Sequence, residues 1–561
     1  MLEQREQRIM KPKILFSLYL FLCCIKTINA EVYTALAEME ELLETEAVLI
    51  SNLEGFIRVQ QDKLDYLKTK MQEYQREHEE AATDISVYVS NPINAYLLTK
   101  RLTTDWRQVE NLMAHDVGIG SHIDFLDNIT NYRNVLKFPS DEDLNGAAVA
   151  LMRLQDTYNL DTSSVARGEL NGIQYSTEMS SDDCFELGRQ SYVNHDYYHT
   201  VLWMKEAMSR MREEPNNRTQ SFTKADVLEY LAFSTYKQGN VETALLMTNE
   251  LLQLIPNHER ANGNKVYYEK ELKEITMKKR VKGDDGSDDT PKSDLPISKA
   301  EPAVFDYSER KTYELLCQGK LKPTSAQLRS LSCRYVTNEV PFLKIGPFKL
   351  EEASKDPYIV IYHDAMYDSE IEIVKRMAKP RFRRATVQNA ITGELETANY
   401  RISKSAWLKT EEHSIIANIV QRTEDMTGLD MLSAEELQVV NYGIGGHYEP
   451  HFDFARREEV KAFQGLNTGN RIATVLFYMS DVEQGGATVF TAINIALRPR
   501  KGTAAFWFNL HKSGEGDYRT RHAACPVLTG SKWVSNKWIH ERRQEFRRPC
   551  GLEPDHGEFA I

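Results

Sequence analysis

The sequence predicts a multidomain α + β chain: an N-terminal coiled-coil and helical region, a tetratricopeptide-like helical domain, and a C-terminal β-sandwich or jelly roll. Three observations predict it. Apolar residues recur every seven positions just past residue 36, a helical pattern repeats at a spacing of 44 near residue 187, and short β-branched and aromatic runs alternate with turn signals past residue 350. At 561 residues the chain is too long for one core. The net charge of -13 argues against nucleic acid as a partner, because phosphate binding needs a basic surface.

Residues 1–30 read as a secretory signal peptide: Lys11 and Lys13, the apolar run Ile14–Ile25 ("ILFSLYLFLCCI"), then "KTINA" with cleavage after Ala30. No later segment approaches membrane-spanning length, so no membrane span is expected. Secretion into an oxidising lumen leaves Cys184, Cys317, Cys333, Cys525 and Cys550, enough for two bridges and one free thiol. Several pairings are open; the short separations favour Cys317 with Cys333 and Cys525 with Cys550. Asn128-Ile-Thr130 and Asn217-Arg-Thr219 are glycosylation acceptors in such a compartment.

Region 31–177 opens with Leu36, Leu43, Ile50, Ile57, Leu64 and Met71 in strict heptad register. Met39, Leu53, Leu67 and Tyr74 stand three residues on, with Glu46 and Gln60 as polar interruptions. A seam this narrow on a charged, proline-free background predicts a coiled coil and self-association.

Region 178–272 holds the repeat: Leu187, Tyr192, Asp196 and Thr200 match Leu231, Tyr236, Asn240 and Ala244. Each copy reads helix, polar turn, helix, and helical repeats present a concave groove. Its aromatics Tyr192, Tyr230, Phe233, Tyr236 and Tyr267 suit a polyproline II peptide. Arg260, Asn264 and Tyr267 fall on one helix face, where Arg and Asn can bond the free carbonyls of an extended chain. Tyr230, Phe233 and Tyr236 drift by about 60° per three-residue step, so some rings must pack inward. Residues 273–303 ("RVKGDDGSDDTPKSDLPISKAEP" at their heart) form a linker, and 304–345 a connecting segment with a cysteine clip.

In 346–561 the strand candidates are 437–442, 472–479, 487–490, 493–497, 503–508, 523–528 and 533–539. The stretch "GGHYEPHFD" (445–453) then falls in a loop at a barrel mouth. His451-Phe452-Asp453 is an HxD whose side chains project to one side of an extended chain. With one imidazole from a distant strand it makes the facial triad of non-haem Fe(II) oxygenases, leaving sites for a cosubstrate and O2. Pro450 makes a helical His447/His451 zinc pair untenable. His511, His522 and His540 are candidates for the third ligand; His522 is favoured because it opens the run "HAACPVL", ten residues before Lys532. A buried cation there fits the distal carboxylate of 2-oxoglutarate.

"YEPHFDFAR", "GNRIATVLFYMSDVEQGGATVF" and "GEGDYRTRHAACPVLTGSKWVSNKWIHERRQEF" resemble the collagen prolyl 4-hydroxylase α-subunit family, and the likeness spans nearly the whole mature chain. The resemblance implies a double-stranded β-helix with Fe(II) on His451, Asp453 and His522. It places 2-oxoglutarate against Lys532, Tyr442, Thr488 and His540, and substrate against Tyr448, Arg471 and Trp538. It also implies bridges Cys317–Cys333 and Cys525–Cys550. The reaction implied is hydroxylation of proline at C4 in X-Pro-Gly repeats of procollagen, consuming 2-oxoglutarate and O2, yielding succinate and CO2, and supported by L-ascorbate. A protein disulfide isomerase β-subunit in an α2β2 tetramer and residence in the endoplasmic reticulum lumen complete the picture. Other readings are a different luminal 2-oxoglutarate-dependent protein hydroxylase, which would not need the tyrosine-rich repeat, and an inactive peptide-binding subunit, which would not need an intact ligand set.

Overall fold

The longest helix is α1 (Leu36–Thr83), 48 residues without a proline, about 72 Å at 1.5 Å per residue. The computed structural model describes residues 36–114, 130–131, 133, 138–214, 221–281, 307–388, 395–459 and 461–552. The signal segment 1–30, Asn128, Asn217 and residues 282–303 of the linker lie outside the described residues. Two compact units emerge, Met1–Thr83 and Asp84–Ile561. In the first, the heptad residues Ile50, Ile57, Leu64 and Met71 are each more than half exposed.

The second unit begins with short helices α2 (Ile85–Ser90), α3 (Pro92–Lys100) and α4 (Trp106–Ala114), then α5 (Asp141–Tyr158) and α6 (Thr162–Ala166). A small hairpin, β1 (Glu169–Leu170) with β2 (Ile173–Gln174), leads into the repeat. There α7 (Ser181–Val193) and α8 (Tyr197–Glu213) form one helix pair, α9 (Lys224–Lys237) and α10 (Val241–Leu254) the next, and α11 (Glu259–Val281) closes the array. The matched residues Asp196 and Asn240 have the same job: each side chain caps the second helix of its pair, accepting from the amides of His199 and Thr243. Ser180 and Thr223 start the first helices with capping boxes to Asp183 and Asp226.

Helices α12 (Tyr307–Cys317) and α13 (Ser325–Ser330) precede the β-domain. Its strands are β3 (Cys333–Val336), β4 (Phe348–Ser354), β5 (Ile359–His363), β6 (Arg383–Arg384), β7 (Thr386–Gln388), β8 (Leu395–Thr397), β9 (Arg401–Ile402) and β10 (Lys404–Leu408). Helices α14 (Asp368–Ala378) and α15 (Ser414–Thr427) interrupt them. Then come β11 (Leu437–Tyr442), β12 (His447–His451), β13 (Arg471–Tyr478), β14 (Gln484–Gly485), β15 (Thr488–Phe490) and β16 (Ile495–Leu497). The last are β17 (Ala504–Phe508), β18 (His522–Ala524), β19 (Val527–Thr529) and β20 (Lys532–His540).

A nine-stranded sheet runs β3-β4-β5-β17-β13-β20-β11-β10-β6, and a five-stranded sheet runs β16-β15-β18-β12-β9. Strand alternation sorts their side chains. Val440, Leu476, Tyr478 and Trp507 of the large sheet meet Phe490 and Ala524 of the small one inside the jelly roll. Val439, Val475, Phe477 and Phe506 point the other way, into a core with Ile371 and Val374 of α14 and Ile416 and Ile419 of α15. The outer face of the small sheet is covered by helices: Val489 and Ala523, with Leu528 of β19 beside them, share a core with Leu151 and Leu154 of α5 and Leu316 of α12.

The strand expectations hold closely for 437–442, 472–479 and 503–508. The run 523–528 is instead two strands, β18 and β19, separated at Cys525-Pro526, since proline cannot donate to a ladder. "GGHYEPHFD" is not a loop: His447–His451 is strand β12, paired with β9 and β18.

The expected bridges are corrected as well. Cys317 joins Cys525 (Cα–Cα 5.6 Å), and neither Cys317–Cys333 nor Cys525–Cys550 forms; Cys333 and Cys550 are exposed free thiols and Cys184 is a buried one. Proximity in sequence lowers only the cost of closing a loop. Packing decides here, because α12 lies on the outer face of the small sheet and carries Cys317 to Cys525, whereas Cys333 sits in β3, the edge strand of the large sheet. The cysteine clip expected within 304–345 is therefore absent.

Candidate active site

Strands β12 and β18 are neighbours, and His451 stands directly opposite His522. The register slips between Tyr448 and His451, a bulge at Glu449-Pro450 where the proline has no amide to offer. The slip puts Tyr448 and His451 on the same side despite their odd spacing, with rings stacked 3.5 Å apart. Among the described residues, His451, Asp453 and His522 form the one cluster with metal-ligand geometry, their ligand atoms all within 4.8 Å. Asp453 lies 3.8 Å from His451 Nε2 and 3.6 Å from His522 Nε2. His511 lies elsewhere, 3.8 Å from Asp517.

Both imidazoles are oriented from behind. His451 Nδ1 pairs with the Glu449 carbonyl at 2.7 Å and His522 Nδ1 with the Thr520 carbonyl at 3.0 Å, which turns each Nε2 into the cluster. Burial, then His522, holds His451 well below the usual imidazole range, so it is neutral and able to ligate. Burial works to raise the Asp453 carboxyl, but His522, His451, Arg471 and a bond from Thr474 outweigh it and bring it down to about 2. That bond (Thr474 Oγ1 to Asp453 Oδ2, 2.7 Å) ends a buried chain: Trp507 donates to Asn509, and Asn509 to Thr474. Two imidazoles and one carboxylate on one face suit Fe(II).

Lys532 is 1 % exposed inside the jelly roll, its Nζ 5.3 Å from the Tyr442 ring centre and 6.0 Å from that of Tyr478. It makes no ion pair among the described residues, and burial pulls its ammonium down to about 7. An interior cation without a counter-charge fits the distal carboxylate of a dicarboxylic cosubstrate. Thr488, also buried, accepts from Tyr478 (2.8 Å). His540 is fully buried; Nδ1 meets the Gly469 carbonyl (2.7 Å) and Nε2 meets Glu435 (2.9 Å).

A cleft of 790 Å³ opens over His451 and Asp453, walled by Tyr448, Arg471, Trp538, Arg401 and Glu435 among others. Arg471 lies over the Trp538 ring, 3.8 Å from guanidinium to ring centre, and its fork is held by Glu435 at 2.5 and 3.1 Å. Burial would raise the Glu435 carboxyl, but Arg471 and His540 hold it at about 2. The Trp538 indole N–H and the Arg401 Nε–H are buried donors without hydrogen-bond partners among the described residues. Glu435 and Arg401 are additions to the residues foreseen from sequence. Each lies outside the quoted motifs, and only the fold brings it to the cleft. His447 points away from the cluster: it is 2 % exposed, and burial, then Arg153, holds it well below the usual range.

In the repeat region the rings form a connected series. Tyr192 meets Tyr230 (4.9 Å) and Phe233 (5.8 Å), Phe233 meets Tyr236, and Tyr236 meets Tyr267 (5.8 Å) and stacks on Tyr268 (4.6 Å). Tyr268 is core, Tyr267 is 55 % exposed, and Tyr192, Tyr230, Phe233 and Tyr236 are half-buried. Arg260, well exposed, pairs with Glu229 at 2.6 Å; Asn264 lies one turn on and is half-buried.

Comparison with known proteins agrees region by region. The family described as "Prolyl 4-Hydroxylase alpha-subunit, N-terminal region" matches residues 35–172, "Prolyl 4-hydroxylase peptide-substrate-binding domain" matches 181–274, and "2OG-Fe(II) oxygenase superfamily" matches 437–540. Prolyl 4-hydroxylase subunit alpha-1 of Homo sapiens is 49% identical over 522 residues, 93% of this chain and 95% of that protein. Subunit alpha-2 of Caenorhabditis elegans is 47% identical over 535 residues, 95% of this chain and 96% of that protein. A solved viral collagen prolyl hydroxylase of Paramecium Bursaria Chlorella virus-1 overlaps 32% of this chain and 94% of its own, at 23% identity and a TM-score of 0.26. The chain belongs to the prolyl 4-hydroxylase alpha-subunit family, enzymes that depend on Fe(II) and 2-oxoglutarate.

Proposed function

We propose that this protein hydroxylates proline at C4 in X-Pro-Gly repeats of collagen-like chains, in the endoplasmic reticulum lumen. The observation that carries the reading is the convergence of His451, Asp453 and His522 in the jelly roll that also buries the unpaired Lys532. Iron, when bound with 2-oxoglutarate and O2, supplies the oxidant for the proline C4–H bond, leaving succinate and CO2; L-ascorbate serves as the reductant that the family pattern implies. His451, Asp453 and His522 hold the iron. Lys532 pairs with the distal carboxylate of 2-oxoglutarate, Tyr442 and Thr488 flank that cosubstrate, and His540 acts from beside it, braced by Glu435.

Arg471, Trp538 and Tyr448 form the pocket for the reacting proline. The orphan donors of Trp538 and Arg401 suit the carbonyls of a chain that has no internal hydrogen bonds. Tyr192, Tyr230, Phe233, Tyr236 and Tyr267, with Arg260 and Asn264, take a second proline-rich run of the same chain. Holding one run raises the local concentration of the next at the iron. The exposed heptad face of α1 pairs with a second copy, and a protein disulfide isomerase β-subunit completes an α2β2 assembly. Asn128 and Asn217 carry glycans.

The test is succinate formation from 2-oxoglutarate with a (Pro-Pro-Gly)n peptide, Fe(II) and ascorbate, using full chain co-expressed with a disulfide isomerase. Peptide-dependent turnover is expected in the wild type and in His511→Ala, and its loss in His522→Ala. Equal loss in both variants would remove His522 from the ligand set, and absence of turnover in the assembled wild type would move the substrate class elsewhere.

A further inference from the structure

The strand that carries His451 is launched by a tight turn, and that turn is held from outside the β-domain. Gly445 has φ +61, and a Cβ there would stand 2.8 Å from the Cβ of Ala150 on α5. One helical turn on, Arg153 Nη1 donates to the Gly445 carbonyl at 3.2 Å. The same carbonyl lies by the His447 ring, and that residue is 2 % exposed. Tyr158, at the end of α5, donates to the Pro526 carbonyl, and Val527 bonds both Gly445 and Gly446, so the helix grips two adjacent connections behind the iron ligands.

Charge points the same way. Glu449 of β12 is half-buried, and the cations that act on it are Arg310 of α12, Arg153 of α5 and Arg521 just before β18. The Glu449 carbonyl in turn orients His451. On its other side α5 is fixed to the repeat helices, with Trp203 donating to Gln155 at 2.9 Å and Asn145 to Gln190 at 3.0 Å. Arg153 therefore works from a braced helix.

We propose that Arg153 is a positioning residue of the iron site: it holds the Gly445 turn and the back of strand β12, and thereby the placement of His451, although it belongs to the N-terminal helical region and touches neither metal nor substrate. This rests on the assignment of His451, Asp453 and His522 as the metal ligands. Residues that orient ligands from behind typically contribute about 10- to 100-fold in metal affinity.

The experiment compares Arg153→Met, which keeps the aliphatic stem, with Arg153→Lys, which keeps the charge, in full chain co-expressed with a disulfide isomerase. Co(II) binding is measured directly by calorimetry, alongside direct binding of a long (Pro-Pro-Gly)n peptide and the melting temperature. Arg153→Met is expected to weaken Co(II) binding by about 10-fold, Arg153→Lys to recover part of that loss, and both to bind the long peptide as the wild type does. Co(II) affinity within about twofold of wild type in Arg153→Met, or parallel loss of peptide binding and melting temperature, would overturn the proposal. Should Arg153→Met not be secreted, Ala150→Val decides by pushing on the same turn: weaker Co(II) binding supports the proposal and unchanged binding overturns it. A wild type that binds no Co(II) would refute the ligand assignment itself, which is a separate result.

Discussion

Lys532 shows how much of this site is decided by one side chain. Its ammonium, at about 7, is only half protonated near neutrality because burial penalises the charge. The sign follows. The unfolded chain keeps this proton up to the ordinary lysine range, so the empty protein gains stability from this group as pH rises from about 7 towards 10.5. A bound carboxylate reverses the preference and favours the charged form. Above pH 7, binding of 2-oxoglutarate should therefore take up a proton, measurable by calorimetry in buffers of different ionisation enthalpy, and its KM should climb with pH. In Lys532→Met the proton uptake should vanish and the KM should rise by about 30-fold or more, as expected for truncating one member of a buried charge pair. The cluster of His451, Asp453 and His522 was legible in sequence because HxD spacing and a later His–Lys pair encode it locally. Glu435 and Arg401 were not, since only the folded sheets bring them to the cleft.

At the scale of elements, periodicity did well where one face of a helix or strand is buried. The repeat was legible in its matched positions, and the structure adds that the pair Asp196 and Asn240 are helix caps, while β11 was read residue for residue. Strand β12 was misread because "GGHYEPHFD" has turn-forming glycines, a proline and little β-branched content; its pairing with β9 and β18 overrides that weak propensity. Helix α1 has the opposite character: its pattern is strong, and within its own unit Ile50, Ile57, Leu64 and Met71 stay uncovered. Replacing Ile50 and Ile57 with Asp should leave turnover of a short peptide nearly unchanged but separate the α-subunits in sedimentation or native mass spectrometry. Retention of the wild-type assembly would show that the seam does not mediate association.

For the whole molecule, the cysteines give the sharpest check. Peptide mapping under non-reducing conditions should recover Cys317 linked to Cys525, with Cys333 and Cys550 alkylated as free thiols. Loss of the bridge in Cys317→Ser should lower the melting temperature, since closing a loop of 208 residues is worth up to about 5 kcal/mol by chain entropy. Sequence spacing could not reveal this link, because it depends on which helix lies over the small sheet.

That covering has a practical meaning for anyone dissecting the enzyme. Val489, Ala523 and Leu528 share their core with Leu151, Leu154 and Leu316, all three of which lie ahead of residue 346. A fragment cut at residue 346 would bare an oily sheet face, lose the tether at Cys525, and aggregate on expression. One that begins ahead of Ser140 keeps its roof and should be secreted in soluble form. The excisable piece of this protein is thus set by what shelters the small sheet, and the oxygenase chemistry cannot be lifted out at the boundary where its own strands begin.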